Sequence, residues 1–124
     1  MPLEDDLTSA AAKGDTARVR DLLQKGAKVN GVNCFGRTAL QVMMMGSSPV
    51  VRVLLEHGAD PNVAERSTGA TPLHDAARTG FVETVRLLVE ARADPQARDS
   101  AGCLPVDVAR QNGHAEVIAF LEPL

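Results

Sequence analysis

Residues 71–76 read Thr-Pro-Leu-His-Asp-Ala, and most of these residue types suit the start of a helix. The hydroxyl of Thr71 caps a helix, and Pro72 at its first position loses only an amide that would have no partner there. His74, three residues after Thr71, returns a hydrogen bond to the cap, as Glu or Gln does in a capping box. The stretch therefore predicts a helix that begins directly after Thr71.

This stretch belongs to a unit of about 33 residues that recurs four times. The pattern Thr-Pro-Leu-His-x-Ala with this period is the ankyrin signature, in which neighbouring helix pairs stack to bury a common core. We predict an all-α ankyrin-repeat solenoid, a single domain of four helix-turn-helix repeats joined by β-hairpin-like turns. Its repeats are approximately residues 5–33, 34–66, 67–99 and 100–124, and they are marked by glycines 32, 34 and 33 residues apart, namely Gly14, Gly46, Gly80 and Gly113.

The second helix of each repeat is predicted from apolar residues at helical spacing, in the third repeat Val82, Val85, Leu88 and Val89. Gly26 and Gly58 follow the first two of these helices, at the place where a left-handed residue is needed. Arg92 takes that place in the third repeat, at an expected cost of about 1 kcal/mol relative to glycine.

Composition indicates a folded protein and excludes several classes of function. Of the 124 residues, 44% are hydrophobic, 23% are charged and only 2% are aromatic, so the core must consist mainly of aliphatic side chains and methionine. The net charge of −3 comes without a basic cluster, and we therefore expect no nucleic-acid binding. The N-terminus lacks the features of a signal peptide, and no apolar run is long enough for a membrane span.

The two cysteines, Cys34 and Cys103, stand at corresponding turns two repeats apart. Stacked repeats would hold them beyond the distance of about 7 Å between Cα atoms that a disulfide tolerates. We therefore expect free thiols and a reducing compartment, the cytoplasm and nucleus. A metal site would need more ligands at closer spacing, so we expect no metal and no cofactor.

The second repeat is irregular. Thr38 and Gln41 repeat the capping pair, but Gly46 follows Thr38 after eight steps, whereas Gly80 follows Thr71 after nine. The first helix of this repeat is therefore predicted to have one turn or less, and the turn before Thr71 to be one residue longer. Three consecutive methionines follow, and successive helical side chains point about 100° apart, so at least one of the three should be exposed.

These features resemble the ankyrin-repeat inhibitors of the cyclin D-dependent kinases. The resemblance runs over essentially the whole chain, and the shortened helix with Met-Met-Met is its most specific part. Four repeats look like the shorter members of that family. The segments that carry the resemblance are Phe35-Gly36-Arg37, residues 41–47, residues 58–62, residues 74–78 with Gly80-Phe81, and residues 104–107.

The resemblance implies a mechanism and a partner. Such inhibitors bind the catalytic subunit of cyclin-dependent kinases four and six beside the ATP cleft, twist its lobes and oppose cyclin D. This inhibition holds the cell in G1. It also implies that contacts concentrate on the second and third repeats, with Asp75 matching an acidic residue that pairs with a kinase arginine. Glu65 and Glu83 stand where the family carries aspartates. The predicted protein-binding residues are Phe35, Met43, Met44, Met45, Glu65, Asp75, Arg78 and Glu83.

Several of these residues also have a structural interpretation. Asp75 stands where ankyrin repeats usually place an apolar residue, so it is either a binding residue or the partner of an internal salt bridge with Arg78. The methionines either fill gaps or form a contact surface. Phe35 is placed at a hairpin tip, as a contact or as a turn anchor. His74 is interpreted as a cap and packing residue rather than as a ligand.

Ser48-Pro49 resembles a proline-directed phosphorylation site, but serine followed by proline is also an ordinary helix start, and we favour the structural interpretation. An enzyme is not expected, because His74 and Asp75 diverge on a helix and no phosphate loop or nucleophile motif is present. We expect a monomer that binds these kinases. A generic ankyrin adaptor for another protein, such as a transcription factor, is the alternative.

Overall fold

The computed structural model describes residues 3–43 and 47–124, and these residues contain eight α-helices. The all-α prediction is confirmed. In chain order the helices are α1 (Leu3–Lys13), α2 (Thr16–Gln24), α3 (Ala39–Val42), α4 (Ser48–Glu56), α5 (Pro72–Thr79), α6 (Val82–Glu90), α7 (Pro105–Gln111) and α8 (Ala115–Leu121).

The chain divides into two compact units, residues 1–60 with α1 to α4 and residues 61–124 with α5 to α8. Each unit contains two helix pairs that pack in the same way. The first helices lie side by side, α1 against α3 and α5 against α7, and the second helices do the same, α2 against α4 and α6 against α8. The prediction that all four repeats form one domain stays a prediction.

The core of each unit is aliphatic, with alanines where the first helices meet. Small side chains let these helices approach closely, while leucine and valine fill the space beneath the second helices. In the third repeat Val85 and Leu88 are buried as predicted, but Val82 and Val89 are only half-buried and Leu87 takes part instead. Core residues with at most 1% exposure include Leu7, Ala11, Val19, Leu22, Ala39, Leu40 and Leu54 in the first unit, and Leu73, Ala76, Ala77, Leu88, Ala109 and Val117 in the second.

The predicted helix starts are confirmed at two places. Thr38 and Thr71 each have extended backbone and a side chain that accepts a hydrogen bond from the amide three residues on, and each capping box is complete. In the first repeat, α1 begins at Leu3, slightly before the approximate repeat boundary at residue 5. Within this helix, Asp5 uses its carboxylate to accept a hydrogen bond from the amide of Cys34.

The ends of the second helices follow the predicted pattern. Gly26 and Gly58 have φ of 99° and 87°, and Arg92 adopts the same left-handed conformation at φ 73°. Asparagine side chains then connect consecutive repeats within each unit. Asn30 bonds to the carbonyl of Gly58 and the amide of Asp60, and Asn62 does the same with Arg92 and Asp94.

The hairpin-like turns are also confirmed. An isolated antiparallel bridge joins Val32 to Thr38.

Cys34 and Cys103 are both free thiols, as expected. None of the helices in residues 3–43 and 47–124 has the length and apolar character that crossing a membrane requires.

Candidate functional site

Helix α5 carries two of the predicted binding residues, and His74 fixes its position. The Nδ1 atom of His74 lies 3.1 Å from the amide nitrogen of Thr71 and accepts its hydrogen bond. Its Nε2 atom therefore carries the proton and donates to the carbonyl of Cys103 at 2.8 Å. His74 is fully buried. The predicted capping role is confirmed, and the bond to the next repeat is an addition that local sequence did not indicate.

Asp75 follows His74 and lies at the surface of α5. Its Oδ1 atom accepts a hydrogen bond from Nη1 of Arg78 at 2.7 Å, and the two side chains are 31% and 47% exposed. The internal salt bridge that the sequence left open is therefore present. Exposed pairs of this kind contribute only about 0–1 kcal/mol, so Arg78 does not prevent a partner from reaching the carboxylate. The binding role of Asp75 stays a prediction.

The end of α5 is held by a contact that sequence reasoning missed. Nε2 of His114 donates to the carbonyl of Arg78 at 2.8 Å, and a side chain at Gly80 would overlap the His114 ring. Gly80 also has φ of 83°, so both the backbone conformation and the nearby His114 ring favour glycine at this position. In the sequence, the two turns are related only by the repeat period: Gly113, which precedes His114, follows Gly80 after 33 residues.

Glu83 lies in the first turn of α6 and its side chain is 50% exposed. Nη1 of Arg86 is 3.9 Å from its carboxylate, and the guanidinium of Arg86 also lies 5.8 Å from the centre of the Phe120 ring. The guanidinium of Arg86 thus lies near both the aromatic face and the half-exposed carboxylate of Glu83. This position presents negative charge to solvent, as the proposed contact with a basic partner requires.

Glu65 begins the hairpin-like turn before α5 and is half-buried. Its amide donates to the carbonyl of Ala70 at 2.8 Å, and its carbonyl accepts from the amide of Gly69 at 2.7 Å. In the two other turns, the corresponding backbone bonds run from Asn33 to Arg37 and from Asp99 to Cys103. The turn at Glu65 is therefore one residue longer, as predicted.

The Asn33 and Asp99 turns share a side-chain hydrogen-bond pattern. Oδ1 of each residue accepts hydrogen bonds from the amides two and four residues further along. The hydrogen bond from the Cys103 amide is the main reason that the pKa of Asp99 lies below its ordinary value of 3.8. The bond from the Ala101 amide and the nearby Arg78 lower this pKa further.

Phe35 is at the tip of the Asn33 turn and is 80% exposed. Gly36 beside it has φ of 76°, which lets the chain reverse directly after the aromatic residue. The amide of Phe35 donates to the Asn33 side chain, so this side chain anchors the turn while the ring of Phe35 lies outside the core. Of the two interpretations of Phe35, the exposed ring favours a contact residue over a turn anchor.

The methionines lie at the end of the shortened helix. Helix α3 has four residues, which confirms the predicted single turn, and Met43 follows it with ψ of 156°. Met43 is only 4% exposed, so in this structure it fills the core of its unit, one of the two alternatives left open. Met44 and Met45 lie outside the described residues, and the prediction of an exposed methionine falls on them.

The structure brings Asp75 and Arg78 into direct contact, and it places Glu65 and Glu83 in the same unit, residues 61–124. Phe35 and Met43 belong to the other unit. Within the described residues, no group of three or more histidine, cysteine or acidic side chains is arranged to hold a metal ion.

Comparison with known proteins agrees with this architecture. The model of the family described as ankyrin repeats (3 copies) matches residues 7–99 and 64–122. Cyclin-dependent kinase 4 inhibitor B of Homo sapiens is 52% identical over 118 residues, which cover 95% of this chain and 86% of that protein.

A second relative is cyclin-dependent kinase inhibitor 2A. The protein of Monodelphis domestica is 50% identical over 94% of this chain and 68% of its own length, and that of Homo sapiens is 48% identical over 97% and 77%. These alignments cover nearly the whole chain. The chain belongs to the ankyrin-repeat family and, within it, to the family of cyclin-dependent kinase inhibitors that includes these two proteins.

Proposed function

We propose that this protein inhibits cyclin-dependent kinases four and six by binding their catalytic subunit, opposes activation by cyclin D and thereby restrains progression through G1. The observation that carries the proposal is the identity of about half of all residues with two named kinase inhibitors over nearly the whole chain. The single-turn helix α3 supports it further, because the shortened second repeat is the feature on which the resemblance chiefly rests.

Recognition rests on acidic side chains that meet a basic surface of the kinase. Asp75 has Oδ1 engaged by Arg78, while no described residue bonds to Oδ2. An incoming guanidinium can therefore bond to Oδ2 without displacing Arg78, and such charge-assisted bonds are among the stronger polar contacts. Glu83 adds a second exposed carboxylate, and Glu65 a third that is half-buried.

The first experiment measures binding and inhibition with purified components. The protein is mixed with monomeric kinase four or six, and the complex is measured by calorimetry; kinase activity with cyclin D is then titrated with the protein. We expect one inhibitor per catalytic subunit, as for a monomeric inhibitor, and a loss of activity that follows the binding isotherm. Absence of binding to both kinases would contradict the proposal and favour an adaptor for another protein.

Matched acidic variants test the site. Asp75→Asn is paired with Asp107→Asn, because Asp107 forms the same kind of pair with Arg110 at 3.3 Å in α7. Glu83→Gln is paired with Glu116→Gln, the acidic residue in the first turn of α8. We expect Asp75→Asn and Glu83→Gln each to weaken binding by roughly tenfold and the two controls to leave it unchanged. Equal effects within each pair would remove the site assignment and leave the family assignment intact.

The order of binding tests the mechanism. If inhibitor and cyclin D favour different arrangements of the kinase lobes, each must weaken the affinity for the other by the same factor. We therefore expect weaker binding to the preformed kinase–cyclin complex than to the kinase alone. Equal affinity for both forms would show that the protein inhibits by another route.

We propose that the protein acts in the cytoplasm and nucleus. Both cysteines are free, which is the state that thiols keep in a reducing compartment. A fluorescent fusion expressed in dividing cells tests this directly, and localisation to a secretory compartment would contradict it.

A further inference from the structure

We propose that Ser48 is a phosphorylation site for a proline-directed serine/threonine kinase, and that the phosphate stabilises helix α4. The chain contains two dipeptides of the kind that such kinases recognise, Ser48-Pro49 and Thr71-Pro72. The structure separates them sharply, although their sequences alone do not. Ser48-Pro49 does begin α4, as the structural interpretation expected, and a residue at a helix start can also be modified. This proposal is independent of the inhibitor function.

Accessibility distinguishes the two dipeptides. Pro49 is exposed and Ser48 is half-buried, so an extended substrate groove can reach both residues after a small local opening. Thr71 is 5% exposed, Pro72 is buried, and the Thr71 hydroxyl lies 2.9 Å from Nδ1 of His74. Phosphorylation of Thr71 would require its capping box to break and the buried Pro72 to be exposed, whereas Ser48 requires only the first turn of α4 to open, and no side chain caps that turn.

The start of α4 also lacks what the other described helices have. Its cap residue, Ser47, makes no side-chain capping bond, and its first turn contains no acidic residue. Every other helix in residues 3–43 and 47–124 has a side-chain cap bond or an acidic residue in its first turn. A phosphoserine at the first position of α4 would add about −1.5 to −2 charges where the helix dipole favours them.

A cation one turn along strengthens this expectation. Arg52 is exposed and stands four residues after Ser48 on the same helix. Residues four apart share a helix face, and an anionic residue N-terminal to a cationic one is the favourable order. The phosphate would therefore lie at the positive end of the helix dipole and attract the guanidinium of Arg52.

The modification itself is an ordinary phosphoryl transfer. The hydroxyl oxygen of Ser48 attacks the γ-phosphorus of ATP, and the bond from that phosphorus to the β,γ-bridging oxygen breaks, so that ADP leaves. The hydroxyl proton passes to the catalytic aspartate of the kinase. A new oxygen–phosphorus bond on Ser48 is the only change to this chain.

The first test uses the folded full-length chain, ATP with magnesium, and a purified mitogen-activated protein kinase, which is proline-directed and lies outside the proposed target class. Two synthetic peptides, residues 43–54 and 66–77, serve as unfolded references. We expect mass spectrometry to find phosphate on both peptides but only on Ser48 of the folded chain, and none in Ser48→Ala. An unmodified Ser48 in the folded chain, or Thr71 modified at a similar rate, would overturn the proposal.

The second test measures the effect on stability. Urea unfolding of the phosphorylated and unmodified chains should give an unfolding equilibrium constant about three- to tenfold smaller with the phosphate. Arg52→Gln should remove part of this change, and Ser48→Asp should reproduce part of it in the absence of kinase. A phosphate that leaves the constant unchanged or raises it would contradict the proposed role at α4.

Discussion

Helices α3 and α5 begin in the same way and end differently. Both follow a threonine with a complete capping box, yet α3 has four residues and α5 has eight. Helix α5 ends at Gly80 in the left-handed conformation, whereas the chain after α3 turns into extended backbone at Met43. The comparison teaches that a capping box starts a helix but does not set its length. The second repeat is one residue shorter between its threonine and its glycine, and its first helix has one turn where α5 has two.

The two capping boxes also differ in what lies beyond them. Gln41 in α3 bonds back to the amide of Thr38 and is half-buried. His74 in α5 makes the equivalent bond and in addition donates to the Cys103 carbonyl from a fully buried position. A histidine at this position thus joins two repeats, which a local capping bond does not do.

The largest expected effect follows from this difference. His74→Ala leaves the Cys103 carbonyl and the Thr71 amide without a buried partner, and we expect a loss of about 3 kcal/mol in the free energy of unfolding. Gln41→Ala removes the bond to the Thr38 amide and should cost about 1 kcal/mol. Urea unfolding measures both, and equal losses would show that the bond to Cys103 contributes nothing.

If His74→Ala is too unstable to purify, His74→Gln separates the two contributions. Glutamine can return a bond to Thr71, as Gln41 does to Thr38, while its amide cannot keep the ring's contact with Cys103. We expect a loss intermediate between those of the two alanine variants. A glutamine variant as stable as the native chain would refute the bridging role.

The next largest effect compares a buried and an exposed side chain of the first unit, Met43 and Phe35. Met43→Ala should lower the free energy of unfolding by about 2 kcal/mol, because the side chain is buried at the end of α3. Phe35→Ala, at an 80% exposed hairpin tip, should change it by less than about 0.5 kcal/mol. Thermal unfolding of both variants measures the difference, and a larger loss for Phe35 would reverse our assignment of these side chains.

Left-handed positions give a smaller effect with opposite signs in the two units. Arg92→Gly relieves the strain of a side chain at φ 73° and should raise the free energy of unfolding by up to about 1 kcal/mol. Gly58→Ala introduces the same strain at φ 87° and should lower the free energy of unfolding by a similar amount. No steric clash adds to this loss, because no atom lies within 4 Å of the added Cβ. A lower melting temperature for Arg92→Gly would contradict this expectation.

The smallest effect is a dependence on pH. Hydrogen bonds from the amides of Cys103 and Ala101 lower the pKa of Asp99 below 3.8, so its charge stabilises the folded chain above that pH. This stabilisation is lost as the pH falls through the lowered pKa. We expect Asp99→Asn to keep the turn, as Asn33 does, and to remove this acid-sensitive contribution.

The measurement is urea unfolding of the native chain and of Asp99→Asn between about pH 6 and about pH 3, where unperturbed carboxylates titrate. The advantage of the native chain should shrink as the pH falls. Asn33→Asp is the reciprocal variant and should acquire a similar acid-sensitive contribution. A difference between the native chain and Asp99→Asn that is independent of pH would contradict the assignment.

Much of the architecture was predictable because its signals are local. The starts of α3 and α5, the left-handed ends at Gly26 and Gly58, and the longer turn at Glu65 each depend on residues a few positions apart. Contacts between distant residues have no such local signal. The carboxylate of Asp5, for example, accepts a hydrogen bond from the amide of Cys34, 29 residues away.

The predicted binding residues also differ in whether local sequence or distant contacts decided their environment. The exposure of Phe35 followed from its place in a turn, whereas Glu83 was named only because it stands where the resembled family carries an aspartate. The salt bridge of Asp75 with Arg78 was one of two open alternatives, because a carboxylate and a guanidinium three residues apart pair only if their rotamers meet. The burial of Met43 depended on neighbours that packed around a shortened helix.

The sequence by itself determined the repeat, the starts of the paired helices, their left-handed ends and the family to which the chain belongs. Tertiary structure alone decided that His74 joins Thr71 to Cys103, that His114 holds the end of α5, and that Thr71 is buried while Ser48 is only half-buried. Backbone conformation is set by residues within one helical turn, whereas burial and hydrogen-bond partners come from residues about 30 positions away.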